Sequence, residues 1–269
     1  MKRQLERRSL AGTMVSMTEN SLVWQNPPEY PSLAGEVVHL WRLELDQPDF
    51  VFHKLENTLS GDEQARAQRL RHPLVRRRFI TGRGLLRAIL ARYTRTYPAD
   101  LVFSYGVHGK PFLSALPGVH PPHFNLSHSG ALGLVAVASQ GEVGVDLEEL
   151  HPVPEMEVIV QRYFSEQERE SLLSLPESQR QAGFFNGWTR REACLKAVGE
   201  GFNYPVDRFT VSLQPEAPAV LGDETPTGPL QLYHFDLEPG YVAALACDLA
   251  IRRVVFWQMD GLSSNSGSF

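Results

Sequence analysis

Two acidic residues in residues 144–148 are the first feature that could carry out chemistry. This segment reads Gly-Val-Asp-Leu-Glu, and its strict alternation is typical of a β-strand. Successive side chains of a strand point to opposite faces, so Asp146 and Glu148 should share one face. Two carboxylates at this spacing can bind one divalent cation. A half-buried strand with a solvated outer face would produce the same pattern.

A second acidic position lies further along the chain, in residues 188–196. Glu192 and Lys196 are four residues apart and should share one face of a helix. An ordinary helix explains this segment equally well, because Thr189 and Glu192 have the spacing of a capping box. Glu192 and Lys196 would then form a stabilising ion pair and have no other role.

A histidine between two serines is the third such feature. His128 lies between Ser127 and Ser129, just before an apolar stretch. An imidazolium and two hydroxyls could bind a phosphate, although a structural histidine in a turn is the alternative. The sequence has no Cys/His spacing of a zinc site, no Gly-x-Ser-x-Gly nucleophile elbow and no complete glycine-rich phosphate motif.

The fourth feature is a block of arginines. Between Gln64 and Ala99 there are ten arginines and no Asp or Glu, so this window carries +10 and the rest of the chain −15. A basic block in an acidic protein suggests an anionic partner, such as nucleic acid, a phosphorylated cofactor or an acidic protein. A solvated arginine-rich helix face is the alternative. The ten residues are Arg66, Arg69, Arg71, Arg76, Arg77, Arg78, Arg83, Arg87, Arg92 and Arg95.

The composition indicates the class of protein that holds these groups. The chain has 269 residues, of which 42% are hydrophobic, so it can bury a substantial core. No apolar run reaches the roughly 18 residues of a membrane span. The basic start lacks the apolar region of a secretory signal, and two cysteines cannot form a disulfide scaffold. These observations predict a cytoplasmic protein that does not act on membranes.

The predicted elements follow a similar order in the two halves of the chain. Each half has a Ser-x-x-Glu helix start, at Ser60 and at Ser165, followed by a longer helix. We predict these longer helices over Leu74–Tyr93 and from about Trp188 to Val198, with strands after them. The match is loose and indicates a possible internal repeat. The predicted strands are 37–45, 132–138, one within 141–150, 209–213, 230–237, 241–247 and 254–258.

Taken together, the motifs resemble one enzyme family. The order Gly-Lys-Pro (109–111), Phe-Asn-Leu-Ser-His-Ser (124–129), Gly-Val-Asp-Leu-Glu (144–148) and Trp-Thr-Arg-Arg-Glu-Ala-x-x-Lys (188–196) resembles 4′-phosphopantetheinyl transferases of the surfactin-synthetase-activating (Sfp) type. The resemblance runs from about Val37 to Phe209. It implies an α+β pseudo-dimer of two similar halves with the active site in the cleft between them. We expect an N-terminal arm (1–35), two halves (36–142 and 143–259) and a disordered tail (260–269).

The resemblance also implies a reaction and roles for the acidic residues. These enzymes move the phosphopantetheine arm of coenzyme A to a serine of an apo carrier protein, release 3′,5′-ADP and require Mg²⁺. Asp146, Glu148 and Glu192 match the metal-binding carboxylates. Glu192, or a metal-bound water that it polarises, is the expected base for the carrier serine, with Glu148 as the alternative. Lys196 matches the lysine that binds the pyrophosphate. The family commonly has Lys where Arg191 stands, which keeps the charge.

Further positions match residues that hold coenzyme A. Ser127 and His128 match residues at its 3′-phosphoadenosine end. The loop along the adenine corresponds to Gly109, Lys110 and Pro111. Basic residues for the 3′-phosphate correspond to Arg66, Arg69 and Arg78, although the alignment among ten arginines leaves the exact residues open.

The resemblance implies partners as well. We expect acyl, polyketide or peptidyl carrier proteins as acceptors, a monomeric enzyme and no nucleic-acid partner. Because carrier proteins are acidic around the target serine, the surplus arginines could steer them to the cleft, and Arg76, Arg83, Arg87 and Arg92 are the candidates. Three rival functions are a nucleic-acid-binding module, a metal-dependent nuclease or phosphatase, and a degenerate enzyme that binds coenzyme A without turnover. The first would need aromatic residues interleaved with the arginines, of which only Phe79, Tyr93 and Tyr97 are present, and it leaves the carboxylates without a purpose. The intact carboxylates and Lys196 argue against the third.

Overall fold

The computed structural model of the protein describes residues 15–17, 22–115, 118, 120–199, 201, 204–214, 220–221, 229–237 and 240–259. The predicted tail and most of residues 1–21 lie outside this part of the chain. No helix among the described residues is both long enough and apolar enough to cross a membrane.

The described residues form six α-helices, two three-residue 3-10 helices and twelve strands. The helices are α1 (Asp49–Glu56), α2 (Gly61–Arg69), α3 (Pro73–Thr94), α4 (Met156–Tyr163), α5 (Glu166–Ser174) and α6 (Glu177–Val198). The strands are β1 (Val15–Met17), β2 (Val37–Glu44), β3 (Phe103–Tyr105), β4 (Pro111–Leu113), β5 (His123–Ser129), β6 (Leu132–Ala138), β7 (Val143–Glu149), β8 (Thr210–Val211), β9 (Val220–Leu221), β10 (Leu230–Leu237), β11 (Tyr241–Asp248) and β12 (Arg253–Met259).

Eight of the strands build two four-stranded sheets. The first sheet has the order β12-β2-β6-β5, and the second has the order β1-β10-β11-β7. The last strand, β12, pairs in parallel with β2, so the C-terminal end of the described chain completes the first sheet. Near the start of the chain, Gln25 extends the same edge, because its backbone exchanges hydrogen bonds with Phe256 and Gln258.

The two sheets share a core and each carries a long helix on its outer face. Their inner faces meet in one cluster that includes Leu40 and Leu134 from the first sheet and Val145 and Leu245 from the second. On the outer faces, the large side chains of α3 cover the first sheet, whereas the small alanines of α6 lie on the second. Alternation along each strand therefore supplies both a sheet–sheet face and a sheet–helix face.

A short capped helix precedes the long helix in each half. The Ser60 backbone N–H donates to Glu63 Oε2 (3.1 Å), and that of Ser165 donates to Glu168 Oε2 (2.8 Å), which confirms both predicted helix starts. Both glutamates also receive arginines of the long helix that follows, Arg87 in α3 and Arg191 in α6. The predicted pseudo-dimer of two α+β halves is confirmed.

Two predicted elements are wrong in extent. Helix α6 begins at Glu177 and not near Trp188, so Thr189 lies inside it and donates its hydroxyl to the Phe185 carbonyl (2.9 Å) instead of capping. A Cβ at Gly187 would lie 2.5 Å from Leu213 and 2.7 Å from Phe164, so tertiary packing favours glycine within this helix. The strand predicted over 209–213 is limited to Thr210–Val211, while the other predicted strands are present within one or two residues.

Candidate active site

The predicted acidic residues come together where α6 crosses β7. A Cβ at Gly144 would overlap the Ala193 carbonyl oxygen and the Ala197 nitrogen, so only glycine allows this close approach of the helix. Glu192 and Lys196 each precede one of these two alanines on α6, so the close approach brings both side chains to the face of β7 that carries Asp146 and Glu148. Sequence alone indicated the two faces but not their contact.

Lys196 binds the first carboxylate of β7. Its Nζ donates to Asp146 Oδ1 (2.6 Å), to Ser127 Oγ (3.0 Å) and to the Val145 carbonyl (3.3 Å). Ser127 Oγ also donates to the same Asp146 oxygen (2.9 Å). The other oxygen, Asp146 Oδ2, is buried and has no hydrogen-bond partner among the described residues. Since buried carboxylate oxygens are normally satisfied, this atom is available to a ligand.

The second carboxylate of β7 is held from both sides. Trp188 Nε1 donates to Glu148 Oε1 (3.3 Å), and Ser129 Oγ donates to Glu148 Oε2 (2.9 Å). The sequence predicted no role for Trp188, and for Ser129 it predicted phosphate binding and not this contact with Glu148. The spacing of four residues between Trp188 and Glu192 on α6 could have indicated the first, and the alternation of Ser127 and Ser129 along β5 could have indicated the second.

Glu192 is half-buried near both carboxylates. Burial, followed by the negative charge of Asp146, raises the pKa of Glu192 to about 7. Burial also raises the pKa values of Asp146 and Glu148, and the Asp146 charge adds to the effect on Glu148. Three carboxylates that repel one another beside a single lysine would be stabilised by a divalent cation.

The acidic residues therefore fit a Mg²⁺ ion chemically. Within the part of the chain that the structure describes, no three His, Cys, Asp or Glu side chains are placed so that they could hold a metal ion together as they stand. Lys196 and the two serines hold carboxylate oxygens in their present positions. Oxygen ligands are what Mg²⁺ prefers, and the unpartnered Asp146 Oδ2 is a free one.

A positively charged region adjoins the carboxylates on the side of β5. Neighbouring groups partly desolvate the exposed edge residue His128 and lower its pKa, and the charges of Lys196 and Arg66 lower it further. Arg69 is exposed one helical turn after Arg66 on α2. Arg78 differs from them because its guanidinium forms two hydrogen bonds with Asp46 (2.8 and 2.7 Å). The charges of Arg66 and Lys196 beside the neutral imidazole of His128 are suited to bind a phosphate.

The Gly-Lys-Pro segment joins the two halves. Gly109 has a φ of 84° at the tip of the β3–β4 hairpin, and Lys110 follows it. Lys110 Nζ donates to Glu142 Oε2 (2.7 Å) and to the Ala197 carbonyl (2.6 Å) near the end of α6. Lys110 and Pro111 also line a cavity of about 500 Å³ beside this contact.

Most of the arginine block is structural, which corrects the steering hypothesis for two of its four candidates. Arg83 and Arg87 are buried and bind Glu63 at 2.7 Å each, so neither can meet a partner protein. Arg77 and Arg78 pair with Asp49 and Asp46. The window contains no acidic residue, but acidic residues outside it supply the partners. Arg191 is likewise buried, and its guanidinium binds Glu168 and not the carboxylates of β7.

Comparisons with known proteins establish the family. A family profile, "4'-phosphopantetheinyl transferase superfamily" (ACPS), matches residues 142–246. The 4′-phosphopantetheinyl transferase HetI of Nostoc sp. is 43% identical over 198 residues, which cover 74% of this chain and 83% of HetI. The chain belongs to the 4′-phosphopantetheinyl transferases. Two other similar members are psf-1 of Bacillus pumilus (32% identical, 71% of this chain and 80% of that one) and Sfp of Bacillus subtilis (29%, 70% and 81%).

This 4′-phosphopantetheinyl transferase is therefore an enzyme whose substrates are coenzyme A and a carrier protein, as the motif resemblance implied. The profile match includes the three carboxylates, Asp146, Glu148 and Glu192, and also Lys196. The roles of the individual residues stay predictions.

Proposed function

We propose that this transferase binds Mg²⁺ with Asp146, Glu148 and Glu192 and uses it to transfer the phosphopantetheine arm of coenzyme A to a carrier serine. The observation that carries the proposal is the convergence of the three carboxylates beside Lys196, with Asp146 Oδ2 buried and unpartnered. Bound Mg²⁺ would neutralise charge on the coenzyme A pyrophosphate and on the leaving phosphate.

The positively charged side of the site would hold the nucleotide. Arg66 and His128 adjoin each other and would bind the 3′-phosphate, with Arg69 next to them on α2. Arg78 could join them only by exchanging its contacts with Asp46. Ser127, which binds Lys196, would also contact the 3′-phosphoadenosine end, and Lys196 would bind the pyrophosphate.

The Gly109, Lys110 and Pro111 segment would form the wall along the adenine. The cavity beside Lys110 and Pro111 supports this placement. Because Lys110 already binds Glu142 and the end of α6, its main contribution would be to hold the wall in place.

The chemical step is a phosphoryl transfer. The hydroxyl oxygen of the carrier serine attacks the pyrophosphate phosphorus that bears the pantetheine arm. A new P–O bond forms to the serine while the P–O bond to 3′,5′-ADP breaks. Glu192 accepts the serine proton, and Lys196 stabilises the negative charge that develops on the leaving phosphate. Glu148 is the alternative base, although its two oxygens are engaged by Trp188 and Ser129.

The remaining partner predictions have their own support. One chain contributes both sides of the site, since Ser127 of the first half bonds Asp146 of the second, and this supports a monomer. Cys194 and Cys247 are buried free thiols, which supports a reducing cytoplasmic location. We infer no role for nucleic acid or membranes, because most arginines of residues 66–95 contact other residues of this chain. Acyl, polyketide and peptidyl carriers all remain possible acceptors.

Intact-protein mass spectrometry tests the proposal. Apo acyl, polyketide and peptidyl carrier proteins are each incubated with coenzyme A and the enzyme, with Mg²⁺ or with EDTA. We expect one carrier to gain the mass of a single phosphopantetheine arm only when Mg²⁺ is present. Transfer that is unaffected by EDTA would overturn the metal assignment. Hydrolysis of coenzyme A without any carrier would support the nuclease or phosphatase alternative.

A further inference from the structure

Strand β7, which carries two of the carboxylates, lies at the edge of its sheet. It pairs with β11 on one side only, and β5 occupies the corresponding edge of the other sheet. β5 and β7 lie side by side, but no backbone ladder joins them. The buried backbone groups on the outer edge of β7 need other hydrogen-bond partners.

Side chains of β5 provide these partners at every second residue. Asn125 Oδ1 accepts the backbone N–H of Val145 at 3.0 Å. Ser127 Oγ accepts that of Leu147 at 3.3 Å, and Ser129 Oγ accepts that of Glu149 at 3.0 Å. Each contact joins residues twenty positions apart, so the three form a regular ladder of side chains against a strand edge.

The two serines of this ladder also reach the carboxylates. Ser127 Oγ donates to Asp146 Oδ1, and Ser129 Oγ donates to Glu148 Oε2, both at 2.9 Å. A hydroxyl has one proton, and each serine already accepts an N–H from β7. The backbone contact therefore fixes the hydroxyl so that its proton points to the carboxylate. Asn125 differs from the serines because its contact is with the backbone alone.

We propose that two serines of this ladder, Ser127 and Ser129, are positioning residues through which the first half of the enzyme orients the metal-binding carboxylates of the second half, whereas Asn125 only binds the strand edge. Within the ladder, Ser129 is the positioning residue for Glu148. This inference rests on the proposed function, because it requires Glu148 to be a metal ligand. The carboxylates are oriented only when the two sheets are docked, so docking and site assembly are one event.

Mn²⁺ binding to the full-length enzyme tests the proposal separately from turnover. Free Mn²⁺ is measured by electron paramagnetic resonance in the presence of coenzyme A, with a blank of coenzyme A alone. The variants are Ser129→Ala, Ser129→Thr, which keeps the hydroxyl, and Asn125→Ala, which removes a ladder contact that touches no carboxylate. The unfolding midpoint of each variant is recorded in EDTA.

We expect Ser129→Ala to weaken Mn²⁺ binding about 10-fold or more, the range for groups that orient metal ligands. Ser129→Thr should restore it to within about threefold, and Asn125→Ala should lower the unfolding midpoint while Mn²⁺ binding is retained. In a Glu148→Gln background, Ser129→Ala should have no further effect on Mn²⁺ binding. Ser129→Cys, close in size, takes its place if the alanine variant does not fold.

Equal effects of Ser129→Ala and Asn125→Ala on Mn²⁺ binding would overturn the positioning role and leave a purely structural ladder. An additive effect of Ser129→Ala in the Glu148→Gln background would also overturn it. If the unsubstituted enzyme does not bind Mn²⁺ although it transfers the arm, the proposed metal site itself fails. If it neither binds Mn²⁺ nor modifies any carrier, the proposed function fails.

Discussion

The two halves of this enzyme share a buried ion pair but differ at the residues beside it. In the first half, Arg87 of α3 binds Glu63 (2.7 Å), and in the second, Arg191 of α6 binds Glu168 (2.8 Å). Each glutamate also caps the short helix in which it lies, so the pair holds the short helix against the long one. The same device thus builds both halves.

The difference begins one residue later. Ala88 follows Arg87 and is buried, whereas Glu192 follows Arg191 and lies beside the carboxylates of β7. Five residues after each arginine, Arg92 lies over the Trp41 ring at 5.8 Å, while Lys196 binds Asp146 at 2.6 Å. One half therefore uses the shared scaffold for packing alone, and the other uses the corresponding positions to gather charge.

The largest expected effect is at the position that differs most between the halves. Glu192→Gln keeps the size of the side chain but removes its charge and basicity, and kcat should fall about 10²–10⁴-fold. Glu170→Gln, an exposed site on α5, is the matched control and should leave kcat unchanged. Rates are measured by carrier modification at saturating coenzyme A. If kcat of Glu192→Gln stays within about twofold of that of the parent enzyme, Glu192 is excluded as the base.

The lysine position provides a direct comparison between the two long helices. Lys196→Gln removes the charge that would stabilise the leaving phosphate, so kcat should fall about 10²–10³-fold. Arg92→Gln makes the corresponding change in α3 and should affect kcat less than about twofold. Equal losses in the two variants would show that the first half also takes part in the chemistry.

The shared ion pairs should matter for stability in both halves. Glu63→Gln leaves Arg83 and Arg87 buried without a counterion, and Glu168→Gln does the same to Arg191. Each change should lower the free energy of unfolding by about 3–5 kcal/mol, as measured by urea denaturation. Asp49→Asn, which breaks the exposed pair with Arg77, is the control and should cost less than about 1 kcal/mol. A small loss of unfolding free energy in only one of these two variants would show that the two ion pairs do not contribute equally to stability.

A histidine under the first sheet predicts a pH dependence of stability. Burial, followed by the charge of Arg253, lowers the pKa of His39 to about 4. Its Nδ1 lies 2.8 Å from the Tyr93 hydroxyl, which also accepts the Trp41 indole N–H. In the neutral tautomer that carries its hydrogen on Nε2, Nδ1 accepts the hydroxyl proton of Tyr93.

The unfolded chain binds this proton more readily than the folded one. The free energy of unfolding should therefore be constant above pH about 6.5 and fall by up to about 3 kcal/mol as the pH drops towards 4. His39→Asn should flatten this part of the profile measured by urea denaturation. His53→Asn, at an exposed position of α1, controls for the loss of a histidine. An unchanged slope in the His39 variant would contradict the assignment.

The smallest expected effect separates exposed from buried arginines. Arg71 and Arg76 are exposed near the start of α3, and the double substitution Arg71→Glu/Arg76→Glu should raise the carrier KM about 3- to 10-fold at low salt. The effect should vanish at high salt because surface charges are screened. A carrier KM that does not change at low salt would remove this surface from carrier binding.

Much of the local structure could be predicted from short stretches of sequence. The capping boxes at Ser60 and Ser165, the alternation of β7 and the period of α3 depend on neighbours within four residues, and the structure has all of them. The order of the four motifs identified the family. By contrast, the start of α6 was missed because the glycines at 183 and 187 pack against distant side chains inside a continuous helix.

Most of the elements, the family and the types of residue in the site could be predicted from the sequence, since these depend on neighbouring residues or on motif order. Which charges face one another depends on tertiary packing. Glu63 lies 20 residues from Arg83 and 24 from Arg87, and the serines that orient Asp146 and Glu148 lie 19 residues before them. Whether a charged side chain acts in the site or in the core depends on the atoms that packing places around it, and that information is not contained in its own stretch of chain.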